Sequence, residues 1–134
     1  MVGLGATVRS VTVPNDIEDA LAAVVDGTYV VAMFRSSLDG RLWVQASRVE
    51  GEDLLLCEAV SDEFVGRHEQ LAPGTLERLG ELGWGESPAD YTRWEAASTP
   101  DERNALADVL WRTLVEAFGQ DPQSPPAVDL LDEG

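Results

Sequence analysis

The sequence predicts an α+β fold: an antiparallel sheet, made of a three-stranded meander plus at least one further strand, with N- and C-terminal helices packed on one face and a short middle helix. Three observations carry this. Ile17, Ala20, Leu21, Val24 and Val25 recur at helical spacing, residues 28–60 hold three β-rich runs separated by short polar loops, and residues 99–118 return to helical spacing behind an N-cap signature. A chain of 134 residues with 44% hydrophobic content is sized for a single domain with one core. The expected organisation is an N-terminal extension (1–14), an α+β domain (15–119) and a disordered, acidic, Pro-rich tail (120–134).

The elements follow in order. Asn15 with Glu18 three residues on reads as a capping box, and Gly27 closes the first helix. Residues 28–36, 41–49 and 54–60 read as strands. A three-residue loop Leu38-Asp39-Gly40, with the glycine in the left-handed position of a bulge, pairs Ser37 with Arg41 and therefore Phe34 with Val44. A two-residue loop would set Phe34 against Gln45. Only the first register gathers Val30, Ala32, Phe34, Leu42, Val44 and Ala46 on one apolar face, to which a four-residue loop at 50–53 adds Leu55, Cys57 and Ala59. The opposite face then carries Tyr29, Ser47 and a set of seven, Val31, Met33, Arg35, Trp43, Gln45, Leu56 and Glu58. That set is too apolar to leave wet and too polar for a second core, which makes it the candidate partner-binding or dimer face.

In "PGTLERLGELGW", Pro73 takes the first helical position, Leu82 the C-cap, Gly83 the left-handed C′ position and Trp84 the C″ position, where its ring packs back on Leu79. Gly80, one turn beyond Leu76, is expected to admit another backbone closely. Residues 91–97 suit a strand. Thr99-Pro100-Asp101-Glu102 supplies an N-cap, an N1 proline and a capping-box glutamate for a long helix that points Leu106, Val109, Leu110, Thr113, Leu114, Ala117 and Phe118 at the core before Gly119. The tail has one small hydrophobic motif, Val128, Leu130 and Leu131, which leaves open weak competition with a bound segment.

Charge narrows the function classes. Nine arginines, no lysine and twenty-five acids give a net charge of −16, so a phosphate backbone or an anionic membrane finds no basic surface, and neither is an expected partner. The acidity serves solubility or the steering of a basic partner. The chain has no apolar run of membrane-spanning length, and its start lacks the apolar core and cleavage site of a signal peptide, which points to the cytoplasm. A lone cysteine fits a reducing compartment.

Reactive constellations are scarce. Cys57 falls on the core face, where a packing role fits better than a nucleophile. The single histidine, His68, lies in the loop "VGRHEQ"; a solvated surface position fits better than a general base aided by Glu63 or Glu69. The acidic runs at 50–53 and 129–133 lack the spacing of a calcium loop, and one histidine with one cysteine cannot make a zinc set. "GLGATV" has two glycines of a dinucleotide fingerprint without the strand and helix around it. The expectation is therefore no catalytic residue, no metal and no cofactor. Trp84 and Trp111 read as clasp and core residues, whereas Trp43, beside Arg35, serves either the core or a partner contact.

The succession "RLWVQASRVEGEDLLLCEAVSDEFV", then "LAPGTLERLGELGW" followed by a proline, an aromatic strand and a last helix ending near "AFG" resembles the actinobacterial-type peptide-binding chaperone-like domain of the type III secretion chaperone and YbjN superfamily. The resemblance covers roughly residues 15 to 119 and is most specific at Val44-Gln45, Glu58-Ala59-Val60-Ser61 and Leu82-Gly83-Trp84; Asp62 stands where the family pattern often has asparagine. It implies an α+β domain, often dimeric, that holds segments of other proteins without catalysis. The expected function is a non-enzymatic peptide- or protein-binding chaperone-like module, with an unidentified protein or peptide partner and a homodimer. The alternative is a small enzyme or metabolite-binding domain whose site the sequence hides.

Overall fold

The structure, a computed structural model, describes residues 15–38, 41–60, 73–86 and 90–132. The N-terminal extension, the Gly40 turn position, His68 with its neighbouring acids, and the Ser61-Asp62 step lie outside them. The described elements are α1 (Asn15–Val25), β1 (Val31–Arg35), β2 (Trp43–Arg48), β3 (Leu55–Val60), α2 (Pro73–Glu81), β4 (Gly85–Glu86), β5 (Asp90–Glu95), α3 (Pro100–Ala117) and β6 (Ala127–Leu131). The strands form one antiparallel sheet in the order β4-β5-β3-β2-β1-β6.

The predicted register holds. Phe34 lies opposite Val44, Ala46 opposite Cys57 and Val44 opposite Ala59, so alternation delivers Ala32, Phe34, Val44, Ala46, Cys57 and Ala59 to one face, each fully buried. Onto that face α1 lays Ile17, Ala20, Leu21 and Val24, and α3 lays Leu106, Ala107, Leu110, Trp111 and Leu114. The stripe of α3 includes Ala107 and Trp111, while Val109 and Ala117 sit at its margin, only partly buried. At the start of α3 the capping box is complete: Thr99 Oγ1 accepts from the Glu102 amide (3.1 Å) and the Glu102 carboxylate accepts from the Thr99 amide (3.1 Å). The first helix starts on Asn15 itself, one residue earlier than the capping-box reading places it.

The end of α2 is a Schellman motif. Trp84 N donates to Leu79 O (3.0 Å), Gly83 N to Gly80 O (3.1 Å), and Gly83 adopts φ +98°. Trp84 and Leu79 are buried. The indole Nε1 donates to Thr113 Oγ1 on α3 (2.9 Å), so the helix stop is also a tie between helices. Arg93 closes the clasp, with its guanidinium carbon 5.5 Å from the Trp84 ring centroid, Nη1 donating to Leu82 O (2.7 Å) and Nε paired with Glu95 (2.6 Å). Two other arginines hold backbone ends in the same way. Arg48 donates to Val24 O at the end of α1 and to Tyr29 O, and Arg103 donates to Ala97 O and Ser98 O.

Two expectations are corrected. A Cβ at Gly80 would meet nothing within 4 Å, and the residue is exposed. The inward stripe of α2 runs through Leu76, Leu79 and Leu82, and at about 100° per residue position 80 points roughly 100° away from its centre, so no backbone approaches it. The tail is not a free end: residues 127–131 form β6, paired with β1 from Val31–Leu131 to Arg35–Ala127. Gln120, 2% exposed, explains how the chain arrives there. Its Oε1 accepts from Ser37 N (2.8 Å), and its Nε2 donates to Asp121 O (3.1 Å) and Ser124 O (2.8 Å). Asp121 N donates to Ser37 Oγ and Ser36 Oγ to Phe118 O, fixing the path toward the β1 edge. An acidic, Pro-rich composition argues against a segment building its own core, but an edge strand needs only backbone partners and a half-buried side chain on the core side, here Val128.

Candidate partner-binding face

The side of the sheet turned away from α1 and α3 carries the seven predicted residues. Val31, Met33, Arg35, Trp43, Gln45, Leu56 and Glu58 are all half-buried and share that face. Strand pairing arranges them in rows across the sheet. One row runs Leu131, Val31, Ser47, Leu56, Trp94; the next runs Asp129, Met33, Gln45, Glu58, Thr92. The first row is apolar apart from Ser47, crosses five strands, and has its two ends the most open, with Leu131 47% and Trp94 46% exposed. At about 4.8 Å between strands it spans roughly 19 Å.

Apart from Met33 the second row is polar, with one pair made inside it and one made to Arg35 in the neighbouring row. Gln45 Nε2 donates to Glu58 Oε1 across the β2–β3 ladder (2.8 Å), and Arg35 Nε pairs with Asp129 Oδ2 (2.8 Å). Polar side chains that already have partners can be covered by another surface at smaller desolvation cost than orphaned ones. The face thus combines apolar contact area with a polar band that is partly paired within the sheet.

The structure adds Trp94, Thr92, Leu131 and Asp129 to the predicted set. The alternation of "YTRWE" contained the first pair, since Tyr91, Arg93 and Glu95 point to the core side once Trp94 lies opposite Leu56. Leu131 and Asp129 required the tail to be seen as a strand.

Cys57, the one reactive type among the described residues of the core, is fully buried between the sheet and the helices, and burial, with the charges of Glu95 and Glu58 beyond the opposing Arg93, pushes its thiol up to about 12. It is a packing residue. Among the described residues, no group of three or more His, Cys, Asp or Glu side chains is placed to hold a metal ion, and no helix is long and apolar enough to cross a membrane.

A family model described as TY-Chap3, "T3SS (YopN, CesT) and YbjN peptide-binding chaperone 3", matches residues 13–128. The chain belongs to this family. The TY-Chap3 match runs past Gly119 through the Gln120 anchor and into β6, so the last strand begins inside the matched span. No curated protein and no solved structure matches the chain. Membership in TY-Chap3 gives the protein a peptide-binding, chaperone-like role in general terms.

Proposed function

We propose that this TY-Chap3 protein is a non-enzymatic module that holds a segment of a partner protein against the open face of its sheet, and that the same face lets two copies associate. The observation that carries the reading is the apolar row Leu131–Val31–Ser47–Leu56–Trp94 beside a mostly polar row partly paired within the sheet, on the side of the sheet opposite both long helices. A surface of this make-up gains from being covered and is not costly to cover. The unreactive Cys57 agrees with a role without covalent chemistry. The cytoplasm, where a lone thiol stays reduced, is the proposed setting.

The test compares the wild type with Leu56→Arg and Trp94→Ala, which alter the row from its middle and from its exposed end. Native-lysate capture and light scattering on all three should show a discrete protein partner, and a dimer mass, that the variants lose while their unfolding midpoints stay near that of the wild type. A partner and a dimer that both survive Leu56→Arg would place binding elsewhere and overturn the assignment of the face.

A further inference from the structure

We infer that β6 is an exchangeable strand, and that the β1 edge beneath it accepts an extended segment of a partner protein carrying a large apolar residue, an acid and a second apolar residue in succession. The inference rests on the peptide-binding reading but concerns a different surface, the edge of the sheet.

β6 is lightly held. Of its five residues only Val128 is half-buried; Leu130 is 37% and Leu131 47% exposed. Its one ion pair, Arg35–Asp129, joins side chains 39% and 48% exposed, a situation in which such pairs add little. Most of what keeps the strand in place is the backbone ladder to β1, and a ladder is indifferent to sequence, so an incoming strand recovers it in full.

The side chains facing inward from β6 also fit incompletely. Val128 and Leu130 line a groove of about 330 Å³ against Asp16, Asp19 and Ala20 of α1. The groove is shallow and open to solvent, so a phenylalanine or leucine in place of Val128 has room to extend over Ala20 of α1 and cover more apolar surface than the resident valine. Between the two inward positions, Asp129 points to the other face and meets Arg35, which sets the preference for an acid there. The resident strand has the right pattern with too small a first apolar side chain.

Release of β6 leaves the rest of the domain intact. The chain is pinned just before it by Gln120 on Ser37, Asp121 and Ser124, so peeling stops at the prolines ahead of Ala127. Tethered by that anchor, β6 competes at high effective concentration and sets a threshold that only a better-fitting segment passes.

The test uses the full chain and a labelled synthetic peptide copying residues 125–132 with Val128→Phe, with binding followed by fluorescence anisotropy and strand protection by hydrogen exchange. Asp129→Arg in the protein, which repels Arg35 and loosens β6, should tighten peptide binding about tenfold. Val128→Phe in the protein, which lets the resident strand fill the groove, should weaken it. Peptide should deprotect residues 127–132 while β1 stays protected, and Asn104→Ala on the exposed side of α3 should leave affinity unchanged. Affinity insensitive to both β6 variants, or binding with β6 still protected, would overturn exchange while leaving peptide holding on the open face standing. Absence of binding to all the proteins would also overturn it. A doubled mass for Asp129→Arg with β1 protected would assign the edge to a second copy's β6 and overturn the partner assignment.

Discussion

Replacing Trp84 by alanine should cost about 4 to 5 kcal/mol, and the structure shows where the loss arises. The side chain is 4% exposed, and truncating a buried aromatic to alanine costs roughly 3 to 5 kcal/mol through lost burial and the cavity left behind. The Arg93 guanidinium loses its ring, worth about 0.5 to 1 kcal/mol, although it keeps Leu82 O and Glu95. Thr113 loses the donor to its Oγ1 but still donates to Val109 O (2.8 Å), so its penalty stays within about 1 kcal/mol. Against a total stability on the order of 5 to 15 kcal/mol, this lowers the thermal midpoint by more than about 10 °C at roughly 3 °C per kcal/mol. Urea unfolding followed by far-ultraviolet circular dichroism measures the loss without relying on indole fluorescence. Trp84→Phe keeps most of the ring and drops only the Nε1 bond, so it should cost about 1 to 2 kcal/mol. If alanine stays within about 1 kcal/mol of the wild type, or phenylalanine costs as much as alanine, the clasp does not work by ring burial.

Further expectations share that assay. Gly83→Ala should cost about 1 to 2 kcal/mol, since φ is +98° and the new Cβ would lie 2.9 Å from Arg93 Nη1; an unchanged midpoint contradicts the Schellman geometry. Thr99→Ala removes one arm of the capping box and should cost about 1 kcal/mol. Gln120→Ala leaves Ser37 N without its acceptor and should cost about 2 kcal/mol, with lowered hydrogen-exchange protection in β6. Folding holds the Cys57 thiol at about 12, whereas the unfolded thiol ionises near 8.5. Its contribution is therefore intact below that value and is lost as pH rises toward 12, by up to about 1.4 kcal/mol per pH unit. Urea midpoints between pH 8 and 10.5 should fall more steeply for the wild type than for Cys57→Ala, and parallel curves would refute the shift.

What could be read in the chain is what local physics fixes. The register of β1 on β2 follows from one loop length and one apolar face, and Thr99-Pro100-Asp101-Glu102 and Leu82-Gly83-Trp84 are helix boundaries whose hydrogen bonds are nearly written in their residue types. The open face followed from the same alternation, so all seven predicted residues lie on it. What escaped depends on partners distant in sequence. Gln120 is separated by 83 positions from the Ser37 amide that it accepts, and a glutamine after a glycine carries no sign of burial. β6 needs β1 to exist as an edge, and its own sequence, with one half-buried side chain in five, is indistinguishable by composition from a solvated end. Arg93 looks like a surface charge until α2 ends beside it. Gly80 stands apart because a neighbour of Leu76 on the helix surface need not share its inward direction.

Three guanidinium groups, those of Arg48, Arg93 and Arg103, are turned onto the protein's own carbonyls. Those cations are already counted in the net charge of −16, which leaves the field outside strongly negative. Ionic strength should therefore act with opposite sign on the two occupants proposed for the open sheet face. Two copies approaching each other bring like fields together, and added salt, by shortening the Debye length to about 10 Å at 0.1 M and further beyond, eases their association. A basic segment is drawn in by the same field and is weakened by the same salt.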